Sequence, residues 1–148
     1  MDSTADTLEH IAKVQARLQT ICNALTVRAA HHDESKLHTP EKSGFDILSA
    51  QLSTLVYGSD EYRAALEAGR PTIAHHYAAN THHPEHWPNG IAGMTLLDVV
   101  EMLCDWKAAS ERTKQGSIMT SLAHNQGRFG IDAQLFSILI NTVKELGW

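Results

Sequence analysis

The sequence predicts one all-α domain, residues 1–148, built from six or seven helices. Apolar residues recur at spacings of three and four along nearly every segment, which is the period of an amphipathic helix. No run alternates apolar and polar residues as a half-buried strand would. Groups of Ser, Thr or Asp on one side and Gly or Pro on the other punctuate the segments, as helix caps and stops do. There is no internal repeat and no low-complexity stretch.

At 148 residues, 43% hydrophobic and 20% charged, the chain has enough apolar material for an ordinary core. The formal net charge is -5, and the 12 Lys and Arg are scattered without forming a basic stripe. That excludes non-specific binding to long nucleic acid, whose affinity comes from neutralising many phosphates. The N-terminal MDSTADTLEH is acidic and polar, and no apolar run approaches the roughly 20 residues a membrane span needs. A soluble cytoplasmic protein with no membrane partner is expected. Cys22 and Cys104 lack CxxC spacing and have apolar helical neighbours, so both are expected as buried thiols.

The first helix is expected from Thr7 to about Leu25, with Leu8, Ile11, Val14, Leu18, Ile21, Cys22 and Leu25 on one face. Ser3 or Thr4 is its candidate cap, with Asp6 in the first turn. His10 borders the apolar face, about 40° round the helix from Val14. A second segment, Val27 to Leu37, holds the adjacent His32 and Asp33. Neighbouring side chains on a helical turn diverge by about 100°, so this pair can grip one cation from two directions. Thr39-Pro40 opens the next helix with Pro in its first turn. It is expected over Glu41 to Tyr57, carrying Phe45, Ile47, Leu48, Leu52, Leu55 and Val56, and closing at Gly58. Ser59 caps a short helix to about Ala68, ended by Gly69, and a helix from Pro71 is expected to run as far as Pro84.

That helix leads into a concentration of histidine. His75, His76, His82, His83 and His86 are five of the ten histidines, all within the thirteen residues His75 to Trp87. Imidazole is the commonest metal ligand, so the cluster points to a metal site. On a continuous helix His76, Asn80 and His83 share one stripe, and His75, Ala79 and His82 share its neighbour. Only one stripe is then expected to face an ion.

The loop HPEHWPNGIAG leads to Thr95 and Asp98, spaced as a capping box. The following TLLDVVEMLCDWKAASER is apolar round most of its circumference and is the expected central buried helix, to about Arg112. Asp98 is its cap and Glu101 is expected on a solvated face. Asp105, flanked by Leu103, Cys104 and Trp106, is the deepest carboxylate and must be paired or coordinated. In the last third, Ser117, Ile118, Met119 and Leu122 begin one helix. Asp132 caps another, with Leu135, Phe136, Leu139, Ile140 and Val143 as its core stripe. Gly127 and Gly130 bracket Arg128-Phe129 in the expected turn between them, where Arg128 is a candidate phosphate donor.

These pieces together resemble the HD-domain metal-dependent phosphohydrolases. The likeness is carried by the order and spacing of His10 on the first helix, His32-Asp33 within HHDESK, a downstream histidine cluster and Asp105 on a late buried helix. HHPEHWPNGIAG followed by TLLDVVEMLCDWKAA is also similar to the corresponding region of the HD-GYP phosphodiesterase branch, without the Gly-Tyr-Pro triplet itself. The closest overall likeness is to a compact, mostly uncharacterised HD-like family with LEHI, HDxSK, YGSDEY, HHPEHW and EMLCDW motifs. It covers nearly the whole chain and implies a compact HD-type helical bundle.

The resemblance implies that His10, His32, Asp33 and Asp105 hold a principal metal ion, with His76 and His83 as further ligands for a second. His75, His82 and His86 are substitutes, and His82 and His86 are candidate substrate contacts. The family's HDxGK or HDxxE position is Lys36, where a lysine contacts a phosphate or orients the attacking water. Glu34 and Glu41, beside Asp33, are the candidates for proton transfer. Mixed His and carboxylate ligation suits one or two ions of Mn, Fe, Co, Ni or Zn better than Mg. The implied function is hydrolysis of a small phosphate ester such as a nucleotide by metal-activated water, with Lys36 and Arg128 offsetting phosphate charge. A di-iron oxygenase and a non-catalytic nucleotide-binding sensor are the alternatives. HD proteins often pair through helices, and Trp148 is an apolar terminus that a second copy could cover in a homo-oligomer.

Overall fold

The computed structural model describes residues 3–56, 58–112 and 114–148. Among the described residues there are seven α-helices, three short 3₁₀ turns and no strand, as the helical periodicity predicts. The helices are α1 (Thr4–His31), α2 (Glu41–Leu52), α3 (Asp60–Ala68), α4 (Arg70–Ala79), α5 (Leu96–Ser110), α6 (Ile118–Phe129) and α7 (Ala133–Glu145). None is long and apolar enough to cross a membrane. The chain divides into two units, Met1–His32 and Asp33–Trp148.

In the first unit α1 runs on to His31, so the break expected after Leu25 is absent. Val27-Arg28-Ala29-Ala30 contains no Gly or Pro, and Arg28 and His31 in the last turn suit the negative end of the helix dipole. Asp6 occupies the first turn, as expected. No residue of α1 is buried, and Leu8, Ile11, Val14, Leu18 and Ile21 are 42–60% exposed. One helix alone has no second element of its own unit on which to bury a stripe.

The second unit opens with a 3₁₀ turn, Glu34–Leu37, and α2 starts directly after Pro40. α2 stops at Leu52, short of the boundary expected near Gly58. The Ser53 and Thr54 hydroxyls donate to the Ala50 and Gln51 carbonyls and so compete with further helical bonding. Tyr57, the expected last residue, lies outside the described residues. α2 and α4 approach closely at Gly44, where a Cβ would lie 2.0 Å from Thr72 Oγ1. Only glycine permits that approach, because the β-branched Thr72 has little freedom to move aside. The contact matters for function because α2 carries Glu41 and α4 carries His76.

Four caps follow the sequence. Ser59 accepts from the Tyr62 N–H, Ser117 from the Thr120 N–H, and Asp132 from the Gln134 and Leu135 N–H groups. Thr95 and Asp98 form the reciprocal capping box of α5. α6 continues through Arg128 and Phe129 to a left-handed Gly130, so those two residues form its last turn and not a loop.

The core is made where α5, α6 and α7 meet. Val99, Met102 and Leu103 of α5 pack with Ile118 and Leu122 of α6, Ile131, and Leu139 and Val143 of α7. Leu135, Phe136 and Ile140 pack against that cluster while only partly buried. Cys22 and Cys104 are free and exposed, contrary to expectation. On α5 the core face is taken by Val99, Met102 and Leu103, and Cys104 lies about 100° further round.

Candidate metal centre

The site begins at the first residue of the second unit. Asp33 has φ 56 and is the one non-glycine residue with positive φ among the described residues. Asp tolerates this left-handed conformation better than most residues, and such outliers concentrate at functional sites. The Asp33 carbonyl accepts from the Lys36 N–H at 2.9 Å. Lys36 Nζ donates to Asp33 Oδ2 at 2.6 Å. Asp33 Oδ1 lies 3.4 Å from His76 Nε2 and 3.5 Å from His82 Nε2.

The histidine cluster is not one continuous helix. α4 ends at Ala79, because Asn80 turns to extended backbone and its side-chain amide donates to the His76 carbonyl and to Ser35 Oγ, each at 2.8 Å. The two-stripe expectation therefore fails beyond Asn80. His82 and His83 lie past the helix end, with His83 extended before Pro84, and both can face the point that His76 faces. His83 Nε2 is 2.9 Å from His76 Nε2.

The loop carrying them is tied down on its other side. Trp87 Nε1–H donates to the Thr81 carbonyl at 2.9 Å, and the Thr81 hydroxyl donates to Asp98 Oδ1 at 2.6 Å. Asp98 is thus both the cap of α5 and the anchor of the histidine loop. It is 1% exposed, more deeply buried than Asp105.

Asp33, His76, His82 and His83 each offer one ligand atom, and these four atoms lie within 4.8 Å of one another. Donors about 2.1 Å from a shared ion stand about 3.0 Å apart at octahedral and about 3.4 Å apart at tetrahedral corners. The separations of 2.9, 3.4 and 3.5 Å lie within about 0.1 Å of those values, so the residues fit a transition-metal ion. Asp33 and Asp105 also offer carboxylate oxygens within 4.8 Å of each other. Behind the donors, Glu41 Oε2 meets His76 Nδ1 at 2.9 Å and Glu101 Oε1 lies 3.1 Å from His82 Nδ1.

Electrostatics favour a neutral imidazole at His83. Burial, followed by the nearby His82 and His76 rings, pushes His83 down from 6.5 to about 3, against the opposing pull of Asp105 and Asp33. Burial alone would raise the Glu41 carboxyl, but hydrogen bonds from His75, Ser35 and His76 outweigh it and hold the group below its ordinary value. For His83 the folded value lies below the unfolded one, so the unfolded chain binds the extra proton. Metal-free protein should keep its full stability above about pH 6.5 and lose it progressively as pH falls toward 3. Urea melts across that window should show a steeper decline for the native chain than for His83→Asn. Equal slopes would contradict this assignment.

The remaining candidates are distributed as follows. His10 is exposed on α1 and His32, half-buried, closes that helix; both belong to the first unit. Glu34 is exposed in the 3₁₀ turn. Glu41 is fully buried and engaged with two histidines, which makes it a poor group for exchanging protons with substrate. His75 is exposed and holds the other Glu41 oxygen. His86 donates through Nδ1 to the Tyr77 carbonyl at 3.0 Å. The Arg128 guanidinium is committed to Glu85 at 2.6 Å and lies over the Phe129 ring. Glu101 was expected on a solvated face but is half-buried against His82. Its i+4 relation to Asp105 was the available signal, since one helix face then carries both carboxylates.

Fold and site together define an all-helical protein with a histidine–aspartate donor cluster able to hold a metal ion. The chain belongs to a family of unknown function, DUF5662, whose model matches residues 1–145. No curated protein and no solved structure matches it.

Proposed function

We propose that this chain is a metal-dependent phosphohydrolase acting on a small phosphate ester such as a nucleotide. The observation that carries the proposal is the convergence of Asp33, His76, His82 and His83 donor atoms from the chain's turn, helix and loop segments. These four would hold the ion, and Asp105 stands close enough to add a carboxylate or to serve a second ion. His10 and His32 enter through the HD resemblance. A bound Mn, Fe, Co, Ni or Zn ion would acidify water and polarise a phosphoryl oxygen.

The chain's own residues supply the rest. Lys36 holds Asp33 Oδ2, and its side chain remains 40% exposed. It therefore presents a cation beside the donor cluster and within reach of solvent, where a phosphate oxygen would be drawn. The same bond orients Asp33 with Oδ1 toward His76 and His82. Burial keeps His83 neutral, so its nitrogen lone pair stays available.

Chelator-treated protein assayed on nucleoside mono-, di- and triphosphates and on p-nitrophenyl phosphate tests this. Hydrolysis should be absent after stripping and return with Mn or Co. Full hydrolysis by stripped protein, or none on any substrate with any of the five metals, would contradict the proposal.

A further inference from the structure

We infer that Glu41 is a positioning residue that fixes His76 as an Nε2 donor toward the metal centre, and that His75 and Ser35 hold Glu41 in place for that task. The inference deepens the metal-centre proposal and rests on it only for its consequence, metal affinity. Its structural content stands on hydrogen bonding alone.

Glu41 sits in the first turn of α2, and its side chain is fully buried. A buried carboxylate is retained when donors surround it. Here they do: His75 Nδ1 at 2.7 Å on Oε1, with His76 Nδ1 and the Ser35 hydroxyl, each at 2.9 Å, on Oε2. An ionised carboxylate only accepts hydrogen bonds, so His76 must carry its proton on Nδ1.

Asn80 tests that assignment, because its side-chain nitrogen lies 3.0 Å from the same His76 Nδ1. Were Asn80 the donor there, His76 would be protonated on Nε2. The two Asn80 amide hydrogens are already given to Ser35 Oγ and to the His76 carbonyl. The Ser35 hydroxyl accepts from Asn80 and donates its own hydrogen bond to Glu41. The network closes with one proton per bond only if His76 Nδ1 is protonated and Nε2 carries the lone pair. That Nε2 is the atom 2.9 Å from His83 Nε2 and 3.4 Å from Asp33 Oδ1. A carboxylate bonded to the far nitrogen of a liganding histidine also raises that ligand's basicity, and losing such a partner typically costs 10- to 100-fold in metal affinity.

The test uses the full chain in two measurements. Long-range ¹H–¹⁵N spectra of the metal-free native protein should show His76 protonated on Nδ1 and bare on Nε2. Cobalt titration should show Glu41→Gln binding roughly 10- to 100-fold more weakly than the native chain, and Glu41→Asp recovering part of the loss. An Nε2-protonated His76 in the native protein overturns the inference, and that readout needs no variant to fold. Unchanged cobalt affinity in folded Glu41→Gln also overturns it while leaving the metal centre standing. A native chain that binds no cobalt but shows the Nδ1 tautomer removes the metal proposal and supports the role of Glu41 in orienting His76.

Discussion

Replacing Asp33 is expected to lower affinity for cobalt or zinc by more than about 100-fold, beyond the usual cost of losing an outer partner of a ligand. Asp33 is the anionic member of the four-donor group, and its Oδ1 lies 3.4 Å from His76 Nε2 and 3.5 Å from His82 Nε2. Its left-handed backbone makes Asn the right substitution, since Asn accepts φ 56 where Ala is strained. Asp33→Asn therefore removes the charge and keeps the turn. His83→Ala leaves Asp33, His76 and His82 in place, so weakened binding is expected there and not its loss. Isothermal titration with cobalt distinguishes the two. Equal losses in both variants, or native affinity in Asp33→Asn, would contradict the arrangement.

Asp98→Ala is expected to cost about 2 to 4 kcal/mol, combining a lost cap with buried donors left without an acceptor. Asp98 accepts from the Thr95 N–H at 2.8 Å and from the Thr95 and Thr81 hydroxyls, each at 2.6 Å. For a domain of this size that is a fall in Tm of roughly 5 to 15 °C. Because Thr81 precedes His82, cobalt affinity should fall with it even at temperatures where the variant is folded. A variant that melts within a degree of the native protein would mean that the histidine loop is held by other contacts.

The parts of this molecule that could be read from sequence are those fixed by near neighbours. The Ser59 and Asp132 caps and the Thr95–Asp98 box depend on groups three residues apart or fewer, and each is found as expected. The core stripe of α7 follows from helical period, with Leu139 and Val143 at its centre. Asp33 was legible as a candidate ligand beside His32, and His76 and His83 within the histidine cluster; Asp105 was legible as a carboxylate among apolar neighbours, with the HD resemblance joining the four.

What was not legible depended on contacts distant in the chain. Asn80 ends α4 with its amide shared between the nearby His76 carbonyl and the distant Ser35 hydroxyl, so the placement of His82 alongside His83 was hidden. Glu41 stood out in the sequence only as a candidate for proton transfer, and its burial follows from the close approach of α2 and α4 at Gly44. Glu101 and Asp98 likewise gain their partners from the histidine loop, seventeen or more residues away. Asp105 seemed deeper than Asp98 from its apolar neighbours in sequence, but those neighbours point round the helix while Asp98 meets Thr81 across the fold.

The central claim is that the converging donors hold a transition-metal ion. Elemental analysis of the chain purified without added metal, beside Asp33→Asn prepared in parallel, tests it most directly. The expected result is about one or two equivalents of Mn, Fe, Co, Ni or Zn in the native protein and close to none in the variant. Equal metal in both proteins, or none in the native chain even after incubation with these ions, would contradict it.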